Sequence, residues 1–168
     1  MKVTVIANIS ANGKVLLSDN PHHNLPPEAM SFYLELAKQV GNLVIGLKTF
    51  ENFQNLPPDV RQLFDGIKII VLSNKTNVSE DYKVVGSPEE AIEYLSAKGI
   101  NEIAVGGGTN TFNAFIDKDL VTDIHFNINL LITGIGGVLG NNSELNSKFK
   151  YKEHKVKDGF IQLHLVKD

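Results

Sequence analysis

The sequence predicts an α/β fold built on a mostly parallel central sheet, with an antiparallel hairpin at its C-terminal edge. Three observations carry this expectation. β-branched apolar runs alternate with amphipathic helical stretches, and parallel strands need such crossovers between them. Three of those runs end in glycine or short polar residues, at the edge where open α/β sheets bind ligands. The tail alternates on both sides of Asp158-Gly159, a strong hairpin signal.

Lys2 to Ser10 is rich in Val and Ile and reads as a strand, and Asn12-Gly13 supplies the turn after it. The stretch from Ser18 to Pro27 is polar and proline-rich, so it reads as a loop. Behind Pro26-Pro27, Ala29, Phe32, Leu36 and Val40 recur at helical spacing. Asn42 to Gly46 and Ile67 to Ser73 are apolar runs suited to strands buried on both faces. Ser87-Pro88-Glu89-Glu90 opens a helix with a cap, a first-turn proline and a capping-box glutamate, and Gly99 closes it after Lys98. Ile103 to Val105 then forms a strand that ends in Gly106-Gly107-Gly108, with a helical pattern from Thr109 to Ile116. Ile124 to Leu131 is a further strand, and the tail closes as an antiparallel pair.

Composition narrows the function classes. The 168 residues fit one domain, spanning 1–168, and the 42% apolar content is enough for a core. The net charge is −3 with 21% charged residues and no polybasic run, which argues against a nucleic-acid partner. Without cysteine, thiolate catalysis and sulfur-ligated metals are excluded. His22 and His23 are adjacent and point apart, and His125, His154 and His164 have no companion acid at ligand spacing, so no metal site is expected. The N-terminal apolar stretch is too short for a signal or a membrane span. The expected address is cytoplasmic, with no membrane partner.

Three strand ends are candidate ligand sites. Gly106, Gly107, Gly108 and Thr109 lie between a strand and a helix, so backbone N–H groups can approach a diphosphate whose charge the helix N-terminus favours. The segment is neither the GxGxxG fingerprint nor a Walker motif, and a ligand-free tight turn is an equal reading. Gly46, Lys48 and Thr49 form a second candidate, against the plain alternative of a solvated lysine. Ser73, Asn74 and Lys75 form a third, where hydroxyl, amide and ammonium suit a ribose 2′-phosphate, or form an ordinary polar turn.

The segments VIANISANGKV, NLPPE, VIGLKTFENF and IAVGGGTNTFNAFI, in this order, resemble the dihydrofolate reductase superfamily. That superfamily includes the reductase domain of the riboflavin-pathway deaminase-reductases. The resemblance implies a dihydrofolate reductase-like three-layer fold with NADPH across the strand ends. It implies Ala7 and the loop from Asn12 to Asn20 over the nicotinamide, and Gly46, Lys48, Thr49 and Gly106 to Thr109 against the diphosphate. Ser73, Asn74 and Lys75 would surround the 2′-phosphate. The substrate pocket would be lined by Ile6, Glu28, Phe32, Phe53 and Asn127. Glu28, following Asn24-Leu25-Pro26-Pro27, is the implied catalytic carboxyl, as proton donor or substrate orienter. A glutamate in a first helical turn is also favoured by the helix dipole alone.

The chain departs from the folate-reducing branch at Ile67, His23 and Asn127, where an arginine, a tryptophan and a threonine are usual. It departs from the riboflavin branch at Asn12, within Ser10-Ala11-Asn12-Gly13-Lys14. The segment LLITGIGGVLG resembles the riboflavin branch, whose chains pair, so a homodimer is expected. The implied reaction is hydride transfer from NADPH to a C=N bond of a small pterin-like molecule. Dihydrofolate to tetrahydrofolate is the leading case, and a ribosylaminopyrimidine phosphate is the alternative substrate. A nucleotide-binding module without turnover is the third reading.

Overall fold

The computed structural model describes residues 1–16, 20, 23 and 25–168. His22, Asn24 and parts of the loop expected over the nicotinamide lie outside the described residues. The chain runs β1 (Lys2–Ser10), α1 (Pro27–Val40), β2 (Asn42–Gly46), α2 (Leu47–Gln54), α3 (Pro58–Arg61) and a 3-10 turn (Gln62–Phe64). It continues through β3 (Lys68–Leu72), β4 (Lys83–Val85), α4 (Pro88–Ser96), β5 (Glu102–Gly107) and α5 (Thr109–Ile116). It ends with β6 (Asp123–Asn129), β7 (Phe149–Lys157) and β8 (Phe160–Lys167).

One eight-stranded sheet joins these strands in the order β4-β3-β2-β5-β1-β6-β8-β7. The pairings from β4 through β6 are parallel, and β8 runs antiparallel to both β6 and β7. This is the predicted mostly parallel sheet with a hairpin edge. Gly159 takes φ +86° in the hairpin turn, a conformation that glycine adopts without a Cβ clash.

The pleat divides the apolar residues between two helical layers. Val3, Val5, Val44, Ile70, Ile103 and Val105 meet Ala91 and Leu95 of α4 and Phe112 and Phe115 of α5. Ile6, Leu43, Ile45, Ile69 and Ala104 meet Leu34 and Ala37 of α1 and Phe50 and Phe53 of α2. Phe50 and Phe115 are among the largest fully buried side chains, each stabilising by about 1.5–3 kcal/mol relative to exposure.

Local signals behave as predicted at most boundaries. Ser87 Oγ accepts from Glu90 N at 3.2 Å and caps α4. The Glu90 carboxylate reaches one residue further back than an ideal capping box, accepting from Gly86 N at 2.7 Å. Gly41 and Gly99 close α1 and α4 with positive φ. The short β4 carries no period of its own in the sequence. It exists because β3 offers it a parallel edge, with Val84 paired to Val71.

Candidate active site

β2, β4 and β5 all deliver their carboxyl ends to one edge of the sheet, and a cleft of about 1040 Å³ opens there. β2 stops at Gly46 and α2 begins at once, without a side-chain cap and without an acid in its first turn. β5 stops at Gly107, and Gly108 starts α5 with the same two features. The amides of both first turns are therefore answered by no side-chain cap and no first-turn carboxylate. The two ends abut. A Cβ on Gly46 would stand 2.5 Å from Thr111 Oγ1 and 3.8 Å from Gly108 N, and one on Gly108 would touch Thr49 Oγ1 at 3.5 Å. Only glycine at position 46 lets the two N-termini come this close. By contrast α4 carries Glu89, Glu90 and the Ser87 cap at its start, so its amides are already answered.

Gly46, Lys48, Thr49, Ser73, Asn74 and Gly106 to Thr109 all line this cleft, together with Ile6 and Phe53. Lys75 does not line it and is exposed, its backbone N–H donating to Ser73 Oγ at 3.1 Å. Ala7 is buried in the cluster against α4 and α5, while its neighbours Ile6 and Asn8 line the cleft. A strand alternates its faces, so of the two residues named for this strand Ile6 faces the cleft and Ala7 points the other way.

Glu28 and Phe32 lie apart from this cleft. Both line a second cavity of about 570 Å³ between α1 and the β6–β8 part of the sheet, and Glu28 is exposed. The α1 residues at the cleft are Met30 and Tyr33. Positions 28 and 32 share one helical face, and positions 30 and 33 share another. Asn127 is fully buried, and neither atom of its carboxamide has a hydrogen-bond partner among the described residues. It does not line the cleft either, although it is paired with Asn8, which does.

Several residues at the site had no prior signal. Tyr33 donates to the carbonyl of Gly106 at 3.1 Å, and burial pushes its phenol well above the usual value. Asn113 of α5 donates to Val138 O at 2.9 Å and accepts from Gly140 N at 2.8 Å. It thereby ties the segment after β6 to the glycine-started helix. Gly137 in that segment is pressed against Thr109, and its carbonyl accepts from Val15 N at 2.8 Å. The strand alternation that carries Asn8 with the expected Ile6, and the spacing of Met30 and Tyr33, were the available clues, and both depend on knowing the phase of the element.

The second cavity holds a stacked pair. The rings of His125 and His164 lie 3.8 Å apart, and His164 Nε2 is 3.0 Å from Asp123 Oδ1. Burial, followed by the neighbouring His164, lowers the His125 pKa to about 4. Among the described residues no group of three or more His, Asp or Glu is placed to hold a metal ion. No helix among them is long and apolar enough to cross a membrane.

The three-layer fold, the abutting glycine-started helices and the cleft between them define a domain of the dihydrofolate reductase-like class. The chain matches the RibD C-terminal domain family over residues 1–162 and belongs to that family. Among solved structures it is similar to a Shewanella sp. PV-4 protein named for riboflavin biosynthesis. The identity is 23% and the TM-score 0.73, over 100% of this chain and 99% of that one. It is also similar to a pyrimidine reductase-like protein of Corynebacterium diphtheriae, at 16% identity and TM-score 0.75, over 99% and 92% of the two chains. No curated protein sequence matches it.

Proposed function

We propose that this protein is a reductase of the riboflavin-pathway type, moving hydride from NADPH to a C=N bond of an aminopyrimidine or pterin-like ring compound. The observation that carries the reading is the junction of the uncapped N-termini of α2 and α5 at Gly46 and Gly108. Such a junction suits a dinucleotide diphosphate, because open amides and two helix dipoles favour its charge. Lys48 and Thr49 would flank the diphosphate, and Ser73 and Asn74 would meet the adenosine 2′-phosphate. Membership of the RibD C-terminal domain family supports the riboflavin-type substrate over dihydrofolate.

Bound NADPH supplies the hydride. The carbon of the C=N bond gains that hydrogen, its nitrogen gains a proton, and the π bond is lost. The described residues lining the cleft include no Asp, Glu or His, and the Tyr33 phenol is held protonated by burial and already donates to Gly106. The protein's share of the work is positioning: apolar walls and carboxamides hold the ring against the strand ends, which gathers the reactants in one geometry.

The test is a turnover assay with NADPH and a panel of dihydrofolate, dihydrobiopterin and ribosylaminopyrimidine compounds, followed at the nicotinamide absorbance. The expected outcome is oxidation with an aminopyrimidine or pterin-type compound. NADPH binding without oxidation by any of them would overturn the reading in favour of a binding module.

A further inference from the structure

The second cavity, between α1 and the β6–β8 part of the sheet, is floored by the stacked pair of His125 and His164 and by Gln162 of β8. Phe32 of α1 leans over His125, with ring centroids 5.8 Å apart. Gln162 is only 8% exposed, and its carboxamide makes no hydrogen bond among the described residues although it lines the cavity. A carboxamide so enclosed is costly to leave unmatched. It presents a C=O acceptor beside an NH₂ donor, the complement of a lactam edge, where a ring N–H stands next to a C=O. His125, whose pKa is lowered by burial and then by His164 to about 4, is a neutral imidazole at neutral pH and adds one donor and one acceptor to the floor.

The two flanks of this floor carry opposite charges. On the hairpin side, antiparallel pairing sets Lys155 opposite Gln162 and Lys157 opposite Phe160, so both lysines stand on the face that lines the cavity. Neither forms an ion pair among the described residues. On the α1 side stand Glu28 and Glu35, seven positions and so two turns apart on one helical face. Ammonium groups next to an unmatched carboxamide suit a phosphate attached to a polar ring, and the facing carboxylates suit amino groups on that ring. The volume of about 570 Å³ is that of a site for one small molecule.

We propose that this second cavity is a binding site, separate from the cleft, for a nucleotide-like compound: an amino-substituted lactam ring that carries a phosphate. Gln162 reads the lactam edge, Lys155 and Lys157 meet the phosphate, and Glu28 and Glu35 meet the amino group. The site is independent of the reductase reading, because none of these five residues lines the cleft.

Calorimetric titration of the full chain with guanosine 5′-monophosphate, guanosine and ribose 5-phosphate tests it. The nucleotide joins the ring and the phosphate in one molecule and should bind at least about tenfold more tightly than either part alone. Replacing both exposed lysines, Lys155→Glu with Lys157→Glu, should weaken the nucleotide by at least about tenfold. Gln162→Leu removes the lactam contact and should weaken it by about threefold to tenfold. Unchanged melting temperatures show that these variants keep the fold. Saturating NADPH should leave the nucleotide affinity within about twofold, because two uncoupled sites do not alter each other's affinity. No binding of the nucleotide, or binding that none of the three substitutions weakens, overturns the proposal. Loss of nucleotide binding when NADPH is present overturns it as well, since the nucleotide then sits in the cleft.

Discussion

Individual side chains show how one residue of phase decides a role. Glu28 looks catalytic when the segment is aligned on Asn24-Leu25-Pro26, yet it lies on the exposed face of α1 and lines the second cavity. Met30 and Tyr33 hold the cleft positions. Glu28→Gln should therefore leave kcat/KM within about twofold of wild type, since a catalytic acid contributes about 10²–10⁴-fold. Tyr33→Phe removes the bond to Gly106 O and should cost about 1 kcal/mol of stability. Steady-state kinetics on the first variant and denaturant unfolding on the second check the pair. A hundredfold loss in Glu28→Gln would return that carboxyl to the mechanism.

At the scale of elements, strands and helices that carry their own period were legible, and those created by a neighbour were not. The runs at Asn42–Gly46 and Asp123–Asn129 alternate or are uniformly apolar, and their limits agree with expectation to within a residue or two. The faces of β6 and β8 were less readable. His125, Asn127, Gln162 and His164 all lie on one side of the sheet, because antiparallel pairing sets His125 opposite His164 and Asn127 opposite Gln162. This stacked pair has a consequence for stability. His125 is surrounded by His164, Asp123, Lys2 and Glu153, and its pKa falls from 6.5 to about 4 in the folded chain. The unfolded chain therefore binds the proton more readily between those values, so this contribution is complete above pH 6.5 and is lost as pH falls toward 4. Melting temperature should drop over that window, and His125→Gln should make the drop shallower. Identical slopes for the two proteins would remove His125 as the cause.

Across the whole molecule, the glycine-lined part of the cleft is assembled from elements far apart in sequence. β2 and β5 are neighbours in the sheet, so residues near 46 and near 108 meet in the single junction proposed above to hold the diphosphate. A ligand that spans such a cradle ties several elements together and stabilises only the folded chain, by about 2.7 kcal/mol at a hundred times its Kd. If Ser73 and Asn74 meet the 2′-phosphate, NADPH should raise the melting temperature more than NADH at equal concentration. Equal shifts measured by thermal denaturation would remove that assignment.

The sequence by itself determined the architecture and the glycine-ended strand edge where the cleft opens: strand–helix alternation, the hairpin at Asp158-Gly159, and glycine at the ends of β2 and β5. These are local properties, written in the period of apolar residues and in the conformations that glycine alone tolerates. Only the tertiary structure decided which neighbours face the cleft. Asn8 beside the expected Ile6, and not Ala7, lines the cleft, as do Met30 and Tyr33 rather than Glu28 and Phe32. The rotation of α1 is set by the burial of Ala29, Leu34 and Ala37, and the phase of β1 by its pairing with β5 and β6. Both are long-range choices. A turn of one residue along a helix or strand moves a side chain to another surface, and only the summed packing of the core selects among those turns.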